Sequence, residues 1–372
     1  MKKNLLWILL WIVPATGVEG QSVAWARFQT LGKGMNLSWL ENYGKGTPSK
    51  DYQDYLDLGS IADKKQGLAL MHKLGFKTIR LPVSFDHWTS RQPPYPITSV
   101  QNFAAIDSIL KWAHQFHMHV IIDDHHGHLD GPNDAYQELP RLIAIWQQVA
   151  TRYRNTNPSE VFFELYNEPH NMADSTWRHC AVELIRAVRR VVPHHTFIVG
   201  GEDWNNIDGL LKMGVLPDHN IIYTFHFYEP FLFTHQGALW AGKNETSNTG
   251  IPFPYDPRAM PPLNPLSRGT GGEANYESYP LKSSVSWLSA QIQQAVDFSR
   301  EHNVPVFCGE WGSYDRYADS SSRFRYTATI LKILKREGLP FCYWEWDGSF
   351  SIFNGIPSLE HLPEGMRKAF GF

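Results

Sequence analysis

The chain repeats one pattern eight times: a short apolar run, a polar or glycine-bearing turn, and in most cases a longer segment with helical spacing. The apolar runs lie at residues 31–37, 76–83, 119–124, 161–167, 196–200, 221–227, 304–309 and 340–346. Helical spacing of apolar residues is found at 62–74, 101–115, 140–153, 174–191, 285–301 and 321–337. Strands that alternate with helices pair in parallel, and eight such units are the number that closes a barrel. We therefore predict an α/β fold, a (β/α)8 TIM barrel.

The length allows one large domain. A barrel with insertions reaches the 372 residues of this chain, and no composition shift or repetitive linker divides it after its N-terminal segment. We predict a single domain over residues 21–372. Residues 241–284, after the sixth strand, are rich in Pro, Gly, Asn and Ser and carry little periodicity. Because loops of this length in compact domains are usually functional, we expect this insertion to build one wall of a cleft.

The N-terminus has the layout of a secretory signal peptide. Lys2 and Lys3 precede an apolar run at residues 5–13, and small residues follow it. The run is too short to span a bilayer comfortably, although an uncleaved anchor is the alternative. We predict that residues 1–20 are a signal peptide and that the protein is secreted, extracellular or periplasmic, with no membrane contact after signal removal.

Charge and cysteine content exclude some classes of protein. The net charge is −3 and no long run of Lys or Arg occurs, so nucleic acid is not an expected partner. Cys180, Cys308 and Cys342 are too few for a disulfide framework. Cys308 and Cys342 occupy matching points of two neighbouring predicted strands and could touch, but buried free thiols are the favoured interpretation.

Polar residues are concentrated where the apolar runs end, which is where barrels of this kind place their active sites. They are Arg80 in run two, Asp123, Asp124, His125 and His126 in run three, Asn167 and Glu168 in run four, His226 and Tyr228 in run six, Glu310 in run seven and Trp344 in run eight. Glutamates that end strands four and seven can face each other across the mouth of the barrel, as a two-carboxylate glycosidase requires. Either glutamate alone would be read as a capping or salt-bridging residue.

Several of these runs resemble glycoside hydrolase family 5. The closest motifs are Leu165-Tyr166-Asn167-Glu168-Pro169, Val306-Phe307-Cys308-Gly309-Glu310-Trp311-Gly312 and Ile79-Arg80-Leu81-Pro82. Gly34-Met35-Asn36 resembles the start of the family's first strand and Tyr343-Trp344-Glu345-Trp346 its eighth. Phe233-Thr234-His235-Gln236-Gly237-Ala238-Leu239-Trp240 resembles a loop of its bacterial endoglucanase branch. The resemblance extends from Phe28 to the C-terminus.

The resemblance implies a retaining endo-β-1,4-glucanase that acts on cellulose-like or mixed-linkage glucan. Glu168 would be the proton donor and Glu310 the nucleophile. Asn167 would bind the sugar 2-hydroxyl, Arg80 would hold Glu310 ionised, and Tyr228 would orient Glu310.

The resemblance also implies a set of substrate contacts. His125 and His226 would bind hydroxyls or tune Glu168, and Trp344 would form the floor beneath the attacked sugar. The remaining implied contacts to substrate are Asn36, His126, His235 and Trp240. Core packing is the alternative for the tryptophans, and it is stronger for Trp346 than for Trp240 and Trp344.

Electrostatics favours different protonation states for the two glutamates. Retention requires carboxylates about 5.5 Å apart. At an effective dielectric constant of 20 they repel by about 3 kcal/mol, which corresponds to roughly two pKa units. One carboxyl group can therefore stay protonated after the other has ionised.

Other functions remain as alternatives. The nearest is a β-mannanase or another β-glucanase of the same family, and a non-catalytic glycan-binding barrel is a more distant one. A metal-dependent hydrolase is suggested by the ligand-rich residues 123–126. Strand alternation sends Asp123 and His125 to one side and Asp124 and His126 to the other, so we predict no metal and no cofactor.

The expected partner is a β-glucan polysaccharide or oligosaccharide, bound by a monomer.

Overall fold

The strands form a closed parallel barrel. The protein is represented by a computed structural model that describes residues 22–41, 61–127, 129 and 132–372; the predicted signal peptide lies outside these residues. Each strand pairs with the next, and the first pairs with the last. The predicted (β/α)8 barrel is therefore confirmed. The strands are β1 Lys33–Asn36, β2 Thr78–Val83, β3 His119–Asp124, β4 Val161–Glu164, β5 Phe197–Gly200, β6 Ile221–Phe227, β7 Val306–Trp311 and β8 Phe341–Tyr343.

Helices connect the strands. They are α1 Val23–Leu31, α2 Ile61–Lys73, α3 Phe85–Trp88, α4 Phe103–Gln115, α5 Pro132–Tyr153, α6 Asp174–Arg189, α7 Ile207–Met213, α8 Phe231–Thr234, α9 Lys243–Thr246, α10 Gly271–Lys282, α11 Val285–His302, α12 Ser320–Arg336 and α13 Glu364–Phe370. Short 3-10 turns lie at Val100–Asn102, Leu239–Ala241 and Pro265–Ser267. Among the described helices, none is both long and apolar enough to cross a membrane.

Helix α5 begins at Pro132, well before the start predicted at Pro140. Pro140 lies inside the helix on its solvent side. An internal proline costs about 3 kcal/mol because it removes a backbone hydrogen bond. Ala135, Leu139 and Leu142 continue one buried stripe across it. Each fully buried leucine contributes about 1.5–3 kcal/mol, so the stripe outweighs the proline.

The insertion at residues 241–284 contains more helix than its sequence pattern indicated. It includes α9, one of the 3-10 turns and α10. Helix α10 lacks an apolar stripe and is held at particular points. The side chain of Thr270 accepts a hydrogen bond from the backbone N–H of Gly272 at 3.1 Å. The fully buried Tyr279 donates its hydroxyl proton to the carbonyl of Pro252. Such point contacts leave no periodic signal in the sequence.

Helix α1 closes the end of the barrel where the strands begin. Ser22 caps the helix by accepting a hydrogen bond from the backbone N–H of Trp25 at 3.3 Å. Ala24, Phe28 and Leu31 form one apolar cluster with inward-facing residues near the starts of six strands. Those strand residues are Ile121, Phe162, Ile198, Ile222, Phe307 and Cys342. All three cysteines are buried and free, which confirms the interpretation favoured for Cys308 and Cys342.

We expect Phe28→Ala to destabilise the protein by about 3–5 kcal/mol, since it removes a buried ring from the base of the barrel and leaves a cavity. The control is Val23→Ala on the same helix, because Val23 is 53% exposed and should change stability by less than about 0.5 kcal/mol. Urea unfolding followed by tryptophan fluorescence measures both. Equal unfolding midpoints for the two variants would show that α1 does not support the barrel.

Candidate active site

A cleft of about 1090 Å³ opens at the carboxyl ends of the strands. It brings together most of the residues predicted from the sequence, although they come from six different strand ends or loops. The predicted residues that line it are His125, His126, Asn167, Glu168, His226, Tyr228, His235, Trp240, Glu310 and Trp344. Arg80 and Asn36 are fully buried and lie beneath it.

The two glutamates face each other within this cleft. Glu168 follows β4 in a left-handed backbone conformation with φ 46°, and Glu310 lies within β7. A carboxylate oxygen of Glu168 and one of Glu310 lie within 4.8 Å of each other. Retaining glycosidases place their carboxyl groups about 5–5.5 Å apart, whereas inverting enzymes leave about 6.5–9.5 Å for a water molecule. Oxygens this close leave too little room for that water molecule, so the pair fits the retaining geometry and not the inverting one.

Arg80 is the cation at the centre of the site. Its Nη1 donates to Glu310 Oε1 at 2.6 Å, and its Nε donates to Glu164 Oε2 at 2.7 Å. Its Nη2 donates to Asn167 Oδ1 at 2.7 Å and lies 3.0 Å from a carboxylate oxygen of Asp123. A single buried guanidinium thus serves three buried carboxylates. The contact with Glu310 is the one predicted from the sequence.

Asn36 supports Arg80 and does not face the cleft. Its Oδ1 accepts from Arg80 Nη1 at 3.0 Å, and its Nδ2 donates to the carbonyl of Gly309 at 3.1 Å. Further contacts join Nδ2 to the carbonyls of Cys342 and Tyr343 at 3.4 and 3.3 Å. The side chain is fully buried and its polar atoms are occupied. Asn36 is therefore a positioning residue, which corrects the predicted contact with substrate.

The environments of the two glutamates differ in their hydrogen-bond donors. Burial raises the pKa of Glu168 and that of Glu310 to about 7. Glu310 accepts from Arg80 and also from the Tyr228 hydroxyl at 2.9 Å. Glu168 contacts His226 Nδ1 at 2.6 Å. Donors stabilise the charged carboxylate, and Glu310 has two of them where Glu168 has one.

His226 lies at a register shift between two strands, where Gly309 is the extra residue of β7, and its ring contacts Glu168. The register of β6 with β7 shifts between Phe225 and His226. Burial lowers the pKa of His226 to about 4, so the imidazole is neutral near pH 7. A carboxylate can only accept a hydrogen bond, so His226 Nδ1 carries the ring proton when Glu168 is ionised, and Asn205 Nδ2 lies 3.5 Å from the other ring nitrogen. His226 then donates to Glu168 without adding charge.

His125 and His126 lie beyond the end of β3, where strand alternation no longer separates them. The ring of His125 stacks on Trp344 with 5.4 Å between centroids and 10° between planes. His125 Nδ1 lies 2.7 Å from Asp123 Oδ2. His126 Nε2 lies 3.3 Å from Glu41 Oε1, and His125 Nε2 lies 4.0 Å from the same oxygen. The two histidines therefore converge on one carboxylate, contrary to the alternation predicted from the sequence.

Aromatic residues extend the cleft beyond the glutamates. Trp240 is 63% exposed and meets Tyr314 edge to face, whereas Trp346 is buried in the core, as favoured from the sequence. The ring of His235 stacks on Phe231 at 4.4 Å. Ala241 and Glu245 also line the cleft, so the first part of the insertion contributes to its wall.

Some functional candidates were missed in the sequence. Glu164 had a usable signal, because it is a carboxylate within the otherwise apolar strand β4, where charged residues are rare. Glu345 had the same signal, since it interrupts the apolar run at 340–346, whereas Glu41 and Asn205 lie in loops and had none. Trp204 also lines the cleft and stacks on His170 with 4.8 Å between ring centroids.

Comparison with known proteins identifies the family. The family model described as cellulase (glycosyl hydrolase family 5) matches residues 32–349. Endoglucanase 3 of Fibrobacter succinogenes is 30% identical over 365 residues, which cover 92% of this chain and 52% of that protein. The chain thus spans about half the length of that relative. Endoglucanase C of Acetivibrio thermocellus is 25% identical over 86% of this chain and 93% of its own.

Solved structures share the fold. Thermotoga maritima Cel5A, determined in complex with cellobiose, superposes with a TM-score of 0.73 at 24% identity, over 93% of this chain and 99% of that one. The same enzyme in complex with mannotriose gives the same TM-score of 0.73. Since the family model covers most of the chain and agrees with the barrel and its paired glutamates, the protein belongs to glycosyl hydrolase family 5.

Proposed function

We propose that this glycoside hydrolase is a retaining endo-β-1,4-glucanase, with Glu310 as nucleophile and Glu168 as acid/base. The observation that carries the proposal is the pair of carboxylates within 4.8 Å of each other, of which only Glu310 is bonded to Arg80 and Tyr228. Such a pair supplies an ionised nucleophile and a protonated acid at the same pH.

In the first step, the ionised Glu310 attacks the anomeric carbon and forms a glycosyl ester. Glu168 donates its proton to the glycosidic oxygen as the bond to that oxygen breaks, so the leaving sugar departs as a neutral alcohol. Glu168 is then a carboxylate, and the N–H of His226 at 2.6 Å stabilises it. In the second step, Glu168 removes a proton from water, the water oxygen attacks the anomeric carbon, and Glu310 is released as a carboxylate.

Asn167 is placed to recognise the sugar beside Glu310. Its Oδ1 is engaged by Arg80 at 2.7 Å, so its NH₂ group is the part that can donate to a sugar 2-hydroxyl. That hydrogen bond strengthens in the transition state of retaining enzymes. Trp344, held parallel to His125, offers an indole face to the apolar C–H face of the same sugar.

A β-1,4-glucan is the favoured substrate. The relatives described above are named endoglucanases, and the cleft extends past the glutamates to Trp204 and Trp240, which suits a bound chain. A β-mannan is the second candidate, because the fold is shared with an enzyme solved in complex with mannotriose.

The predicted signal peptide supports secretion, and the proposed working unit is a monomer without cofactor.

The proposed specificity is tested by product analysis. We expect release of short oligosaccharides from carboxymethyl cellulose and mixed-linkage glucan, with much slower release from mannan. Glu310→Ala removes the nucleophile and should lower turnover on every substrate by several orders of magnitude. Faster hydrolysis of mannan than of glucan would replace the glucanase assignment, and near-normal turnover by Glu310→Ala would contradict the nucleophile.

The acid/base role of Glu168 predicts a dependence on the leaving group. Glu168→Ala should lose most activity on glucan, because the departing sugar needs a proton, and a positioned general acid typically contributes 10²–10⁴-fold. It should keep the first step on dinitrophenyl cellobioside, whose phenolate leaves without protonation. A burst of dinitrophenol followed by slow turnover is the expected time course. Equal losses on both substrates would argue against Glu168 as the acid.

The Tyr228 hydroxyl should control the acidic limb of the pH–rate profile. Glu310 acts as a carboxylate, so activity is lost as the pH falls through its pKa. Burial raises that pKa to about 7, and the hydrogen bond from Tyr228 opposes the rise. Tyr228→Phe should therefore move the acidic limb of kcat/KM to higher pH by about one pH unit.

The matched control for this experiment is Tyr317→Phe, since Tyr317 is 44% exposed and is not among the residues that line the cleft. Its pH profile should equal that of the wild type. An acidic limb that stays in place in Tyr228→Phe would mean that the hydroxyl does not stabilise the charged form of Glu310.

A further inference from the structure

We propose that Glu41, His125 and His126 form a binding site for one divalent transition-metal ion of the Zn²⁺ type, and that this ion and a bound sugar exclude each other. The site lies in the cleft, beside the residues of the proposed reaction. Metal binding itself does not depend on that reaction; the exclusion of sugar rests on the proposed function.

The three ligand atoms converge. One nitrogen of each histidine and one oxygen of Glu41 lie within 4.8 Å of one another. Glu41 Oε1 is 3.3 Å from His126 Nε2 and 4.0 Å from His125 Nε2. Ligands of a tetrahedral zinc ion, bound at about 2.0–2.2 Å, are roughly 3.4 Å apart. Small side-chain rotations therefore bring the three atoms to metal-binding distances.

Among the described residues, one ring nitrogen of His125 faces the site without a hydrogen-bond partner. The residue is 7% exposed, and its Nδ1 is held by the fully buried Asp123 at 2.7 Å. Because Nδ1–H donates to this carboxylate, the Nε2 lone pair points toward Glu41. No hydrogen bond to Nε2 is found within the described ranges. Nε2 of His125 and Glu41 Oε1 thus face each other as two acceptors 4.0 Å apart, while His126 Nε2 lies 3.3 Å from the same oxygen; a cation at this point would bind all three atoms.

The contact between His125 and Asp123 is the arrangement that orients histidines in metal sites. A metal-binding imidazole usually donates its second ring N–H to a carboxylate or carbonyl, which fixes the ring and strengthens its binding nitrogen. Two imidazoles and one carboxylate favour Zn²⁺, Co²⁺, Ni²⁺ or Cu²⁺ over Ca²⁺ and Mg²⁺, which prefer oxygen ligands. Three protein ligands leave positions for water.

The catalytic pair is a poorer site for the same ion. Glu168, His226 and Glu310 also place one atom each within 4.8 Å. However, His226 Nδ1 is engaged by Glu168 at 2.6 Å, and Arg80 Nη1 contacts Glu310 at 2.6 Å. A metal ion there would have to displace these short hydrogen bonds and lie close to a guanidinium, whereas at Glu41 it would displace the longer contact of 3.3 Å with His126 Nε2. The cluster around Glu41 makes no such direct contact with Arg80 among the described residues.

The ion should compete with sugar. The ring of His125 stacks on Trp344, and both residues line the cleft in which the sugar is proposed to bind. A metal ion held by His125 and its water ligands would occupy the space of the sugar hydroxyls. We therefore expect Zn²⁺ to raise the apparent KM for glucan with little change in kcat.

The test is metal binding by the purified mature protein. Calorimetric titration with ZnCl₂ should show one site, and CoCl₂ should give the visible absorption of a four- or five-coordinate Co²⁺ ion. Glu41→Gln and His126→Ala should each weaken binding at least tenfold. The control is His114→Ala, since His114 and Glu160 form an exposed pair 2.8 Å apart outside the cleft, and it should bind as the wild type does.

The remaining outcomes separate the possibilities. The proposed site is wrong if Glu41→Gln and His126→Ala have native circular dichroism and bind Zn²⁺ with unchanged affinity. It is also wrong if Glu168→Gln loses Zn²⁺ binding while Glu41→Gln retains it. Addition of cellotriose should weaken Zn²⁺ binding; if it does not, the mutual exclusion is wrong. These measurements detect the ion without turnover, so they remain valid if the protein hydrolyses no glucan.

Discussion

The guanidinium of Arg80 is the interaction on which the site depends. It is fully buried and contacts Asp123, Glu164 and Glu310 at 3.0, 2.7 and 2.6 Å. Removing a charge from water costs several kcal/mol per ion, and only well-placed partners offset that cost. Arg80 therefore stays charged because three strands present carboxylates to it. In return it fixes the orientation of Glu310 and that of Asn167, the residue before Glu168.

The roles proposed for the two glutamates follow from this network. Both carboxyl groups lose hydration on folding, which raises the pKa of each to about 7. What distinguishes them is the supply of donors: Glu310 has Arg80 and Tyr228, while Glu168 has the neutral His226. Glu41 resembles Glu168 in this respect, because histidines and not an arginine lie beside its carboxylate. A cleft built this way can bind hydroxyl groups, protons or a metal ion.

Much of the barrel and part of the site could be predicted from the chain alone. Apolar runs separated by helical segments specify strands and helices, because each must bury one face against its neighbours. Polar residues at the ends of those runs, such as Arg80, Glu168 and Glu310, must then meet at one mouth. The start of α5 and the helix α10 were not predictable, since Pro140 is tolerated on an exposed face and α10 is held by isolated contacts of Thr270 and Tyr279.

The sequence by itself determined the barrel, the family and the positions of the paired glutamates, because strand periodicity and local motifs are properties of neighbouring residues. Only the tertiary structure decided which groups touch. Arg80 and Glu310 are 230 residues apart in the chain, and Asn36 lies under the site although its motif suggested a sugar contact. The contacts that Glu164 and Glu41 make in the site were likewise decided by the tertiary structure. Distances between remote segments depend on how the whole barrel packs, and no local pattern encodes them.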